Sequence, residues 1–403
     1  MIRFDPFALA RFQLQKDREA TRRFPELLER KVGRMVASPF AFLRGAAPAF
    51  YEVLRQRPQF AEGPGGSGQI VGDLHLENFG AYRPADPAFE KKAAARQYEA
   101  TFGLNDFDDS TIGPWRFDLL RVTTSLVLAG REMGSTGSEV LQMADALLDA
   151  WNDHAHAKSA RRALPMPPPV AALVERVATR TRKELLDGRT VLTRHGRRFI
   201  RGPRYRDLPG SIARAVPAAF ERYIAGLDAP ERPPAERLRI IDTAFRIAGT
   251  GSLGSLRIAV LVSGKGGPDN GWIFDMKEQG APSSHLLLPP PRRNGAKRVR
   301  LAIAACLEEP PMLVGVTKLD ARAMLVRRLT PQEDKLDLAR LDHPQLPELA
   351  RYLGALIGAA HRRGVTISGK VWKQDELKRL VEKTVALAGL HEATYLAFCS
   401  LIR

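Results

Sequence analysis

Residues 72–78 have the sequence Gly-Asp-Leu-His-Leu-Glu-Asn, and residues 105–108 have the sequence Asn-Asp-Phe-Asp. The first stretch places Asp73 five residues before Asn78, and the second places Asp106 in an apolar setting. This combination is typical of phosphoryl transfer, in which one aspartate orients and deprotonates a hydroxyl group while an asparagine and a later aspartate hold Mg²⁺ against nucleotide phosphates. We therefore predict Asp73 as a catalytic base and Asn78 and Asp106 as metal ligands.

Two more residues of these stretches are candidates for the same site. His75 is grouped with Asp73 as a candidate catalytic residue, and two roles stay open for it: orienting Asp73 through a ring nitrogen, or making a structural hydrogen bond. Asp108 is predicted to hold a second metal ion or a water. The structural alternative for the first stretch is a turn in which Asp73 and Asn78 cap backbone amides.

A glycine segment follows much later in the chain and is predicted to bind phosphates through Gly249, Gly251, Ser252 and Gly254. The apolar, β-branched run at 256–262 favours a strand after the glycines, hence a hairpin folded over phosphates. A dinucleotide-binding turn would need a helix directly after them. A flexible loop is the third alternative.

Lys277 lies at the end of the next apolar run, which starts at Trp272. A glycine-rich segment at 264–271 separates the two runs and predicts a hairpin. Lys277 alternates with Trp272, Phe274 and Met276, so it should point to the opposite face of the strand, where a lysine can reach the α- and β-phosphates of a nucleotide. The alternative is a surface lysine on a half-exposed strand.

A phosphate-binding lysine of this kind usually pairs with a glutamate on the following helix. The predicted helix at 296–308 offers only Glu308 and Glu309, at its end. The partner of Lys277 therefore stays open at this point.

The bulk composition limits the classes of protein that fit. A chain of 403 residues can bury a large core and divide into two or more lobes. Cys306 and Cys399 lack metal-ligand or CxxC spacing, which argues against zinc and against a disulfide framework. We find no apolar run of about 18 residues and no apolar signal core at the N-terminus, so we expect a cytoplasmic protein without a membrane partner.

The net charge of +17 comes mostly from arginine and is dense between residues 176 and 206. It fits either a solvated face or a surface that attracts nucleic acid or another polyanion. Because no clear set of aromatic residues is interleaved with the basic ones, we favour the solvated face.

The order of the parts is unusual. The predicted catalytic and metal loops precede the glycine segment and Lys277, and a helix ending at residues 359–364 with the sequence Ala-Ala-His-Arg-Arg-Gly comes last. In protein-kinase-like folds the glycine loop and the lysine come first. Joining residue 364 to residue 70 would restore that order, as in a circular permutation, which folds tolerate when the new termini lie in exposed loops.

On these motifs the chain resembles an uncharacterised bacterial family of unknown function, which itself looks like a circularly permuted member of the protein-kinase-like, aminoglycoside-phosphotransferase-like superfamily. The resemblance covers most of the chain and implies no known substrate. It implies that Asp118 braces the catalytic loop, and it departs from the small-molecule kinases at Val71, where those usually have histidine. The stretches that carry it are 38–47, 72–80, 105–108, 113–115 with Asp118, the glycine segment, 276–278 and the Ala-His-Arg at 360–362.

The expected fold is therefore α+β, a two-lobed protein-kinase-like fold, circularly permuted, with a β-rich nucleotide lobe inserted between helical segments. Residues 81–100 are charged and are expected to be an insertion between the two motifs. The expected units are an N-terminal helical segment at 1–62, a helical lobe with the catalytic and metal loops at 69–235, a β-rich nucleotide lobe at 240–335, and C-terminal helices completing the helical lobe at 336–403.

Three functions are carried forward. The first is an ATP- and Mg²⁺-dependent phosphotransferase that acts on a hydroxyl acceptor, either a small molecule or a protein. The second is a nucleotide-binding pseudokinase or an enzyme that transfers AMP. The third, less favoured, is a basic nucleic-acid-binding protein.

Overall fold

The computed structural model describes residues 4–84, 100–159, 164–194, 196–291 and 293–402, and they form a mixed α and β structure. The charged insertion expected at 81–100 lies largely outside the described residues, because the model describes none of residues 85–99.

Helices dominate the first and last parts of the chain. Several begin where the sequence supplies a cap: the Asp5 side chain accepts a hydrogen bond from the Ala8 N–H at 3.0 Å, and Ser38 and Thr136 cap two later helices. The α-helices are α1 Pro6–Thr21, α2 Glu26–Met35, α3 Pro39–Gly45, α4 Ala47–Gln56, α5 Pro58–Ala61, α6 Trp115–Glu132, α7 Gly137–Ala155, α8 Pro168–Ala178, α9 Arg182–Asp187, α10 Gly210–Ala225, α11 Gly295–Cys306, α12 Leu346–Arg363 and α13 Gln374–Ile402.

One large apolar core joins α1, α3, α4, α6, α7, α12 and α13. Within it, α7 and α12 lie closest, because α12 presents two glycines to α7. A Cβ at Gly354 would overlap the carbonyl oxygen of Leu147, and one at Gly358 would overlap that of Trp151. The helix expected from the sequence to end at residues 359–364 is confirmed as α12, and its close approach to α7 depends on these glycines.

The strands form one larger sheet and several short ones. They are β1 Ser67–Ile70, β2 Phe79–Tyr82, β3 Thr101–Leu104, β4 Thr111–Pro114, β5 Thr190–Thr193, β6 Gly196–Phe199, β7 Tyr205–Arg206, β8 Ile240–Arg246, β9 Arg257–Val262, β10 Trp272–Glu278, β11 Gly315–Leu319, β12 Arg322–Leu329, β13 Asp334–Lys335 and β14 Val365–Ile367.

The larger sheet is antiparallel with the order β11-β12-β10-β9-β8-β7. The hairpin predicted from the two apolar runs is confirmed as β9 and β10, with Lys277 opposite Arg257. Trp272, Phe274 and Met276 belong to the apolar core under α10, so Lys277 points to the other face as expected.

This β-rich unit also includes a strand and a helix that precede residue 240 in the sequence. Strand β7 pairs with β8, with Tyr205 opposite Arg246, and α10 packs on the sheet through Val216, Phe220 and Tyr223. The sheet needs a helix to cover its apolar face, and in this chain that helix precedes the strands it covers.

A short sheet with the order β14-β1-β4 brings the end of α12 to the start of the first motif. The Gln69 N–H donates to the Gly364 carbonyl at 2.7 Å, and Gly68 is opposite Val365. A Cβ on Gly68 would overlap the Gly364 carbonyl. Residues 364 and 68–69 are therefore direct backbone neighbours.

Helix α13 is long and apolar enough to cross a membrane by length and composition alone, with 33% of the most apolar window buried. From the sequence we expected no such segment, because we found no apolar run of about 18 residues. One face, which includes Leu380, Leu387 and Phe398, packs into the main core, and a core helix can meet the same criterion. Cys306 and Cys399 are both free thiols.

We expect Gly354→Ala to lower the midpoint of thermal unfolding, Tm, although alanine has the higher helix propensity. Its methyl group would overlap the backbone of α7, and overpacking of this kind costs about 1–3 kcal/mol. The control is Gly389→Ala in α13, where no atom lies within 4 Å of a new Cβ, so a small gain of roughly 0.5–1 kcal/mol is expected. Circular dichroism melts check both; equal Tm values would contradict the close α7–α12 contact.

Candidate functional site

The first motif lies on a loop between β1 and β2, and a buried aspartate on α6 holds it. Asp118 accepts the Val71 N–H at 2.7 Å and the Gly72 N–H at 2.8 Å, and its side chain is fully buried. Gly72 has φ +83°, and a Cβ there would overlap the Asp109 carbonyl oxygen. The loop can therefore approach the second motif only because residue 72 is glycine.

A buried relay continues from Asp118 to α12. The indole N–H of Trp151 donates to Nδ1 of His361 at 3.0 Å, so the neutral ring carries its proton on Nε2, which lies 3.1 Å from the Asp118 carboxylate. Trp115 stacks on His361 with ring centroids 5.6 Å apart. The bracing role expected for Asp118 matches this geometry, and His361 is its partner.

Asp73 lines a cavity and forms a salt bridge with Arg121, an arginine that was not predicted from the sequence. Arg121, one turn after Asp118 on α6, is fully buried and donates from Nε to Asp73 Oδ1 at 2.5 Å. It also donates to the Leu43 carbonyl at 2.7 Å and lies 4.9 Å from the ring centre of Phe50. Burial raises the pKa of Asp73 to about 7, although the Arg121 charge opposes the shift.

His75 and Asn78 stabilise the turn between them and also line the cavity. Nδ1 of His75 accepts the Glu77 N–H at 3.2 Å, and Oδ1 of Asn78 accepts the His75 N–H at 2.7 Å. Burial and the charges of Arg121 and Arg44 lower the pKa of His75 well below its ordinary value, so the ring is neutral near pH 7. Of the two roles left open for His75, this geometry shows the structural hydrogen bond.

The second motif meets Lys277 directly. The Lys277 ammonium forms an ion pair with the Asp108 carboxylate, whose other oxygen accepts from Gln279 Nε2 at 2.9 Å. Burial lowers the pKa of Lys277, against the opposing effect of Asp106. Asp106 itself is exposed and lines the same cavity. A carboxylate and a lysine separated by 169 residues in sequence therefore meet in one place.

The glutamates offered by the sequence as partners of Lys277 lie elsewhere. Glu308 is 3.5 Å from Arg363, and the Glu309 carbonyl accepts from the Tyr82 hydroxyl at 3.2 Å. The following helix, α11, instead contributes Arg298 to this part of the site.

Arg298 fixes the backbone of the second motif. It is nearly buried, donates to the Asp108 carbonyl at 2.7 Å and to the Gly280 carbonyl at 3.1 Å, and also reaches the Ser110 carbonyl. A signal for it was present in the sequence, because Arg298 interrupts the apolar face of α11 next to Val299 and Ala302. A charged residue at a core position needs a partner.

The glycine segment connects β8 to β9 and is followed by a strand, which excludes the dinucleotide-binding turn. Its carbonyls are held from outside: Lys31 donates to Gly251 O at 3.1 Å, and Arg34 donates to Gly249 O. Both cations come from α2. Gly254 packs against α1, where a Cβ would overlap the Ala20 carbonyl. Two carbonyl groups of this glycine segment, those of Gly249 and Gly251, therefore already have hydrogen-bond donors.

The two motif groups share one cavity of about 300 Å³. The predicted residues that line it are Asp73, His75, Asn78, Asp106, Asp108, Gly249, Gly251, Ser252 and Lys277, whereas Gly254 faces α1. Further residues that were not predicted also line the cavity, among them Lys16, Asp17, Lys31, Arg44, Asp109, Gln279, Ser283 and Lys335.

The oxygen donors of this cavity suit a hard cation that takes its remaining ligands from phosphate groups. Asp106, Asp108 and Asn78 offer oxygen atoms, which Mg²⁺ prefers, and Mg²⁺ commonly takes one or two carboxylates while substrate and water supply the rest. Within the described ranges, no three His, Cys, Asp or Glu side chains are grouped closely enough to hold a metal ion by themselves. The oxygen donors present therefore fit a hard cation only if further ligands come from a bound molecule or water.

Comparisons with known proteins give one match. The model of a family described as "Uncharacterized protein conserved in bacteria (DUF2252)" matches residues 23–401, nearly the whole chain. None of the curated proteins and none of the solved structures compared with the chain matches it.

We expect the Asp73 carboxyl group to titrate near pH 7, whereas ordinary aspartates titrate near pH 4. Burial disfavours the charged form, so Asp73 takes up a proton as the pH falls below about 7. Carbon-13 NMR of the carboxyl groups checks this, with Asp73→Asn identifying the resonance. Asp275 is the internal control: it is buried too, but the charges of Arg246 and Arg257 hold its pKa well below the usual range. A midpoint near pH 4 for Asp73 would contradict the burial shown here.

Proposed function

The chain belongs to the bacterial family DUF2252, and from its cavity we propose that it is an ATP- and Mg²⁺-dependent phosphotransferase with a circularly permuted, protein-kinase-like fold, acting on a hydroxyl acceptor. The observation that carries the proposal is the ion pair between Lys277 and Asp108 inside the cavity that Asp73 also lines. Three sequence segments with separate roles in phosphoryl transfer thus face one space of about 300 Å³.

The glycine loop and the lysine provide the phosphate-binding side. Lys277 lies on the third strand counted from the one before the glycine loop, as the phosphate-binding lysine does in protein kinases. Lys31 and Arg34 hold carbonyl groups of the loop, and the N–H groups of the loop would bind phosphate oxygens. Asp106, Asn78 and Asp108 would hold Mg²⁺, which neutralises phosphate charge when bound.

Asp73 provides the other half of the reaction. It accepts the proton of the acceptor hydroxyl as the acceptor oxygen forms a bond to the γ-phosphorus, and the bond to the β,γ-bridging oxygen breaks to release ADP. Arg121 fixes one carboxylate oxygen of Asp73 and favours its ionised form. His75, neutral near pH 7, holds the turn between the base and Asn78.

The backbone contact between α12 and β1 supports the permuted connectivity. The Gln69 N–H donates to the Gly364 carbonyl, so the end of α12, whose last turn carries His361, lies beside the strand before Asp73 although the two are far apart in sequence. His361 then contacts Asp118, which holds that loop. The backbone of residue 364 therefore lies beside that of residues 68–69, where the permuted connection would have to start.

The mass of the reaction product distinguishes AMP transfer from phosphoryl transfer. Transfer of AMP and phosphoryl transfer use the same nucleotide but add groups of different mass, so mass spectrometry of the protein and of acceptors distinguishes them. The charge-driven alternative has less support, since arginines of the basic stretch pair with carboxylates: Arg197 lies 2.6 Å from Asp187, and Arg201 lies 2.7 Å from Asp207.

ATP with Mg²⁺ should raise Tm, because a ligand that binds only the folded state stabilises that state by mass action. At a free ATP concentration one hundred times its Kd, the free energy of unfolding rises by about 2.7 kcal/mol. Asp106→Asn should remove the Mg²⁺-dependent part of the rise, and Asp337→Asn, an exposed carboxylate paired with Arg340, should not. Thermal-shift measurements with ATP, with and without Mg²⁺, test this. No shift in the wild type at millimolar ATP with Mg²⁺ would refute the proposal.

Asp73→Asn should leave ATP affinity nearly intact and reduce transfer by about 10²–10⁴-fold, the usual contribution of a positioned general base. The substitution keeps the shape of the side chain and removes its charge. Phosphate transfer, or autophosphorylation where no acceptor is supplied, is measured beside the Kd for ATP. Unchanged transfer would make Asp73 a loop brace, and joint loss of binding and transfer would point to a folding role.

A further inference from the structure

Arg44, near the end of α3, lines the cavity and has no part in the reaction described above. Its side chain is 25% exposed, so a ligand in the cavity can reach it. Within the part of the chain that the structure describes, Glu77 is its one acidic partner, at 2.5 Å. An arginine carries more N–H donors than one carboxylate can accept from, so Arg44 has donors left for a ligand.

The backbone beside Arg44 is tied to the catalytic base by one buried arginine. Arg121 donates to Asp73 Oδ1 at 2.5 Å and to the Leu43 carbonyl at 2.7 Å. Leu43 directly precedes Arg44 in α3. Because the same guanidinium group binds both oxygen atoms, the end of α3 is held beside Asp73.

Two further contacts of Arg44 reach the glycine segment and the first motif. Its carbonyl oxygen lies 3.4 Å from the position that a Cβ on Gly251 would take, so the end of α3 packs on the glycine segment. Its guanidinium group reaches Glu77, which directly precedes the candidate Mg²⁺ ligand Asn78. Arg44 therefore extends from the glycine segment to the loop between Asp73 and Asn78, where a γ-phosphoryl group would lie during transfer.

Three other groups of the cavity that could bind this phosphoryl group are engaged or uncharged. Lys31 is paired with a carboxylate, and Lys277 belongs, in the proposed function, to the α- and β-phosphates, which leave with ADP. Burial lowers the pKa of His75 well below its ordinary value, so the first motif supplies no cation of its own. Charge on a transferring group is stabilised best by a donor that is already in position, and Arg44 is such a donor.

We propose that the guanidinium group of Arg44 binds an oxygen of the γ-phosphoryl group of ATP and stabilises the charge on it during transfer. This inference rests on the proposed function. Arg44 keeps its proton throughout: the acceptor oxygen bonds to phosphorus, ADP leaves with the electron pair of the broken bond, and Asp73 takes the hydroxyl proton. A planar guanidinium group matches phosphate oxygens, and an arginine in this role contributes about 10³–10⁵ to kcat in GTP-hydrolysing enzymes.

The test uses the full chain with Mg²⁺ and either ATP, ADP, or ADP with aluminium fluoride, which imitates a phosphoryl group in transfer. Tm is measured in each state, and the formation of ADP from ATP is measured without an added acceptor. In the wild type, aluminium fluoride should raise Tm beyond the value with ADP alone, because the site is complementary to the transition state.

Arg44→Gln should keep the rise in Tm with ATP, lose the further rise with aluminium fluoride, and slow ADP formation by about 10³-fold or more. Arg44→Lys keeps the charge without the planar fork, so it should recover only part of both effects, and it decides the test if Arg44→Gln does not fold. Lys16→Gln is the matched control, because Lys16 lines the same cavity but is paired with the exposed Glu19. It should behave as the wild type.

Lys335 is the competing cation, because it also lines the cavity and approaches Glu77. It lies 4.0 Å from Glu77 and is 46% exposed, so it is held less closely than Arg44. Lys335→Gln should therefore keep the further rise in Tm with aluminium fluoride.

The inference is overturned if Arg44→Gln, or Arg44→Lys in its place, shows the full further rise, or if Arg44→Gln loses the rise with ATP as well. It is also overturned if only Lys335→Gln loses the further rise, or if the wild type binds ATP and gains nothing from aluminium fluoride. Each of these outcomes leaves the proposed function standing. A wild type whose Tm does not respond to ATP with Mg²⁺ would instead refute the proposed function and this inference together.

Discussion

The carboxylate of Asp118 is the interaction on which the geometry of the cavity depends. It sits in the main core without exposure, accepts two backbone N–H groups from residues 71 and 72, and meets the imidazole of His361. Such a buried group is stable only when its lone pairs are satisfied, so it forces the loop, α6 and α12 into one arrangement. The direction in which Asp73 points follows from that arrangement.

Several charged side chains around the cavity are paired, and the pair between Asp17 and Lys31 is buried. Arg121 holds Asp73, Lys277 holds Asp108, and Lys31 holds Asp17. Removing one member of a buried pair typically costs about 3–5 kcal/mol, because the other is left uncompensated. Arg121 with Asp73 joins α6 to the first motif, Lys277 with Asp108 joins the sheet to the second motif, and Lys31 with Asp17 joins α2 to α1.

Local patterns in the sequence were enough to predict several strands and helices and the face on which Lys277 lies. Alternation along 272–277 predicted both the hairpin and the face of Lys277, and the run after the glycines predicted strand β9. The fold class, a mixed α and β structure, followed from the same patterns.

Arg121 and Arg298 were missed although each interrupts an apolar helical face, because a single charged residue on such a face does not identify its partner. Asp17 gave no signal, since only tertiary packing leaves one of its oxygens without a donor. The partner of Lys277 was sought on α11 and came instead from the second motif.

The relay from Trp151 through His361 to Asp118 also bears on how the chain folds. Its members are separated by 210 and 243 residues in sequence, so closing it carries a large loop entropy and belongs to the slow, non-local part of folding. During synthesis, Asp118 lacks its histidine partner until residue 361 has left the ribosome. The helices before it can collapse earlier on their own apolar contacts, but the cavity acquires its shape only in the last stage. Nascent chains would therefore form much of the apolar core before the site is organised.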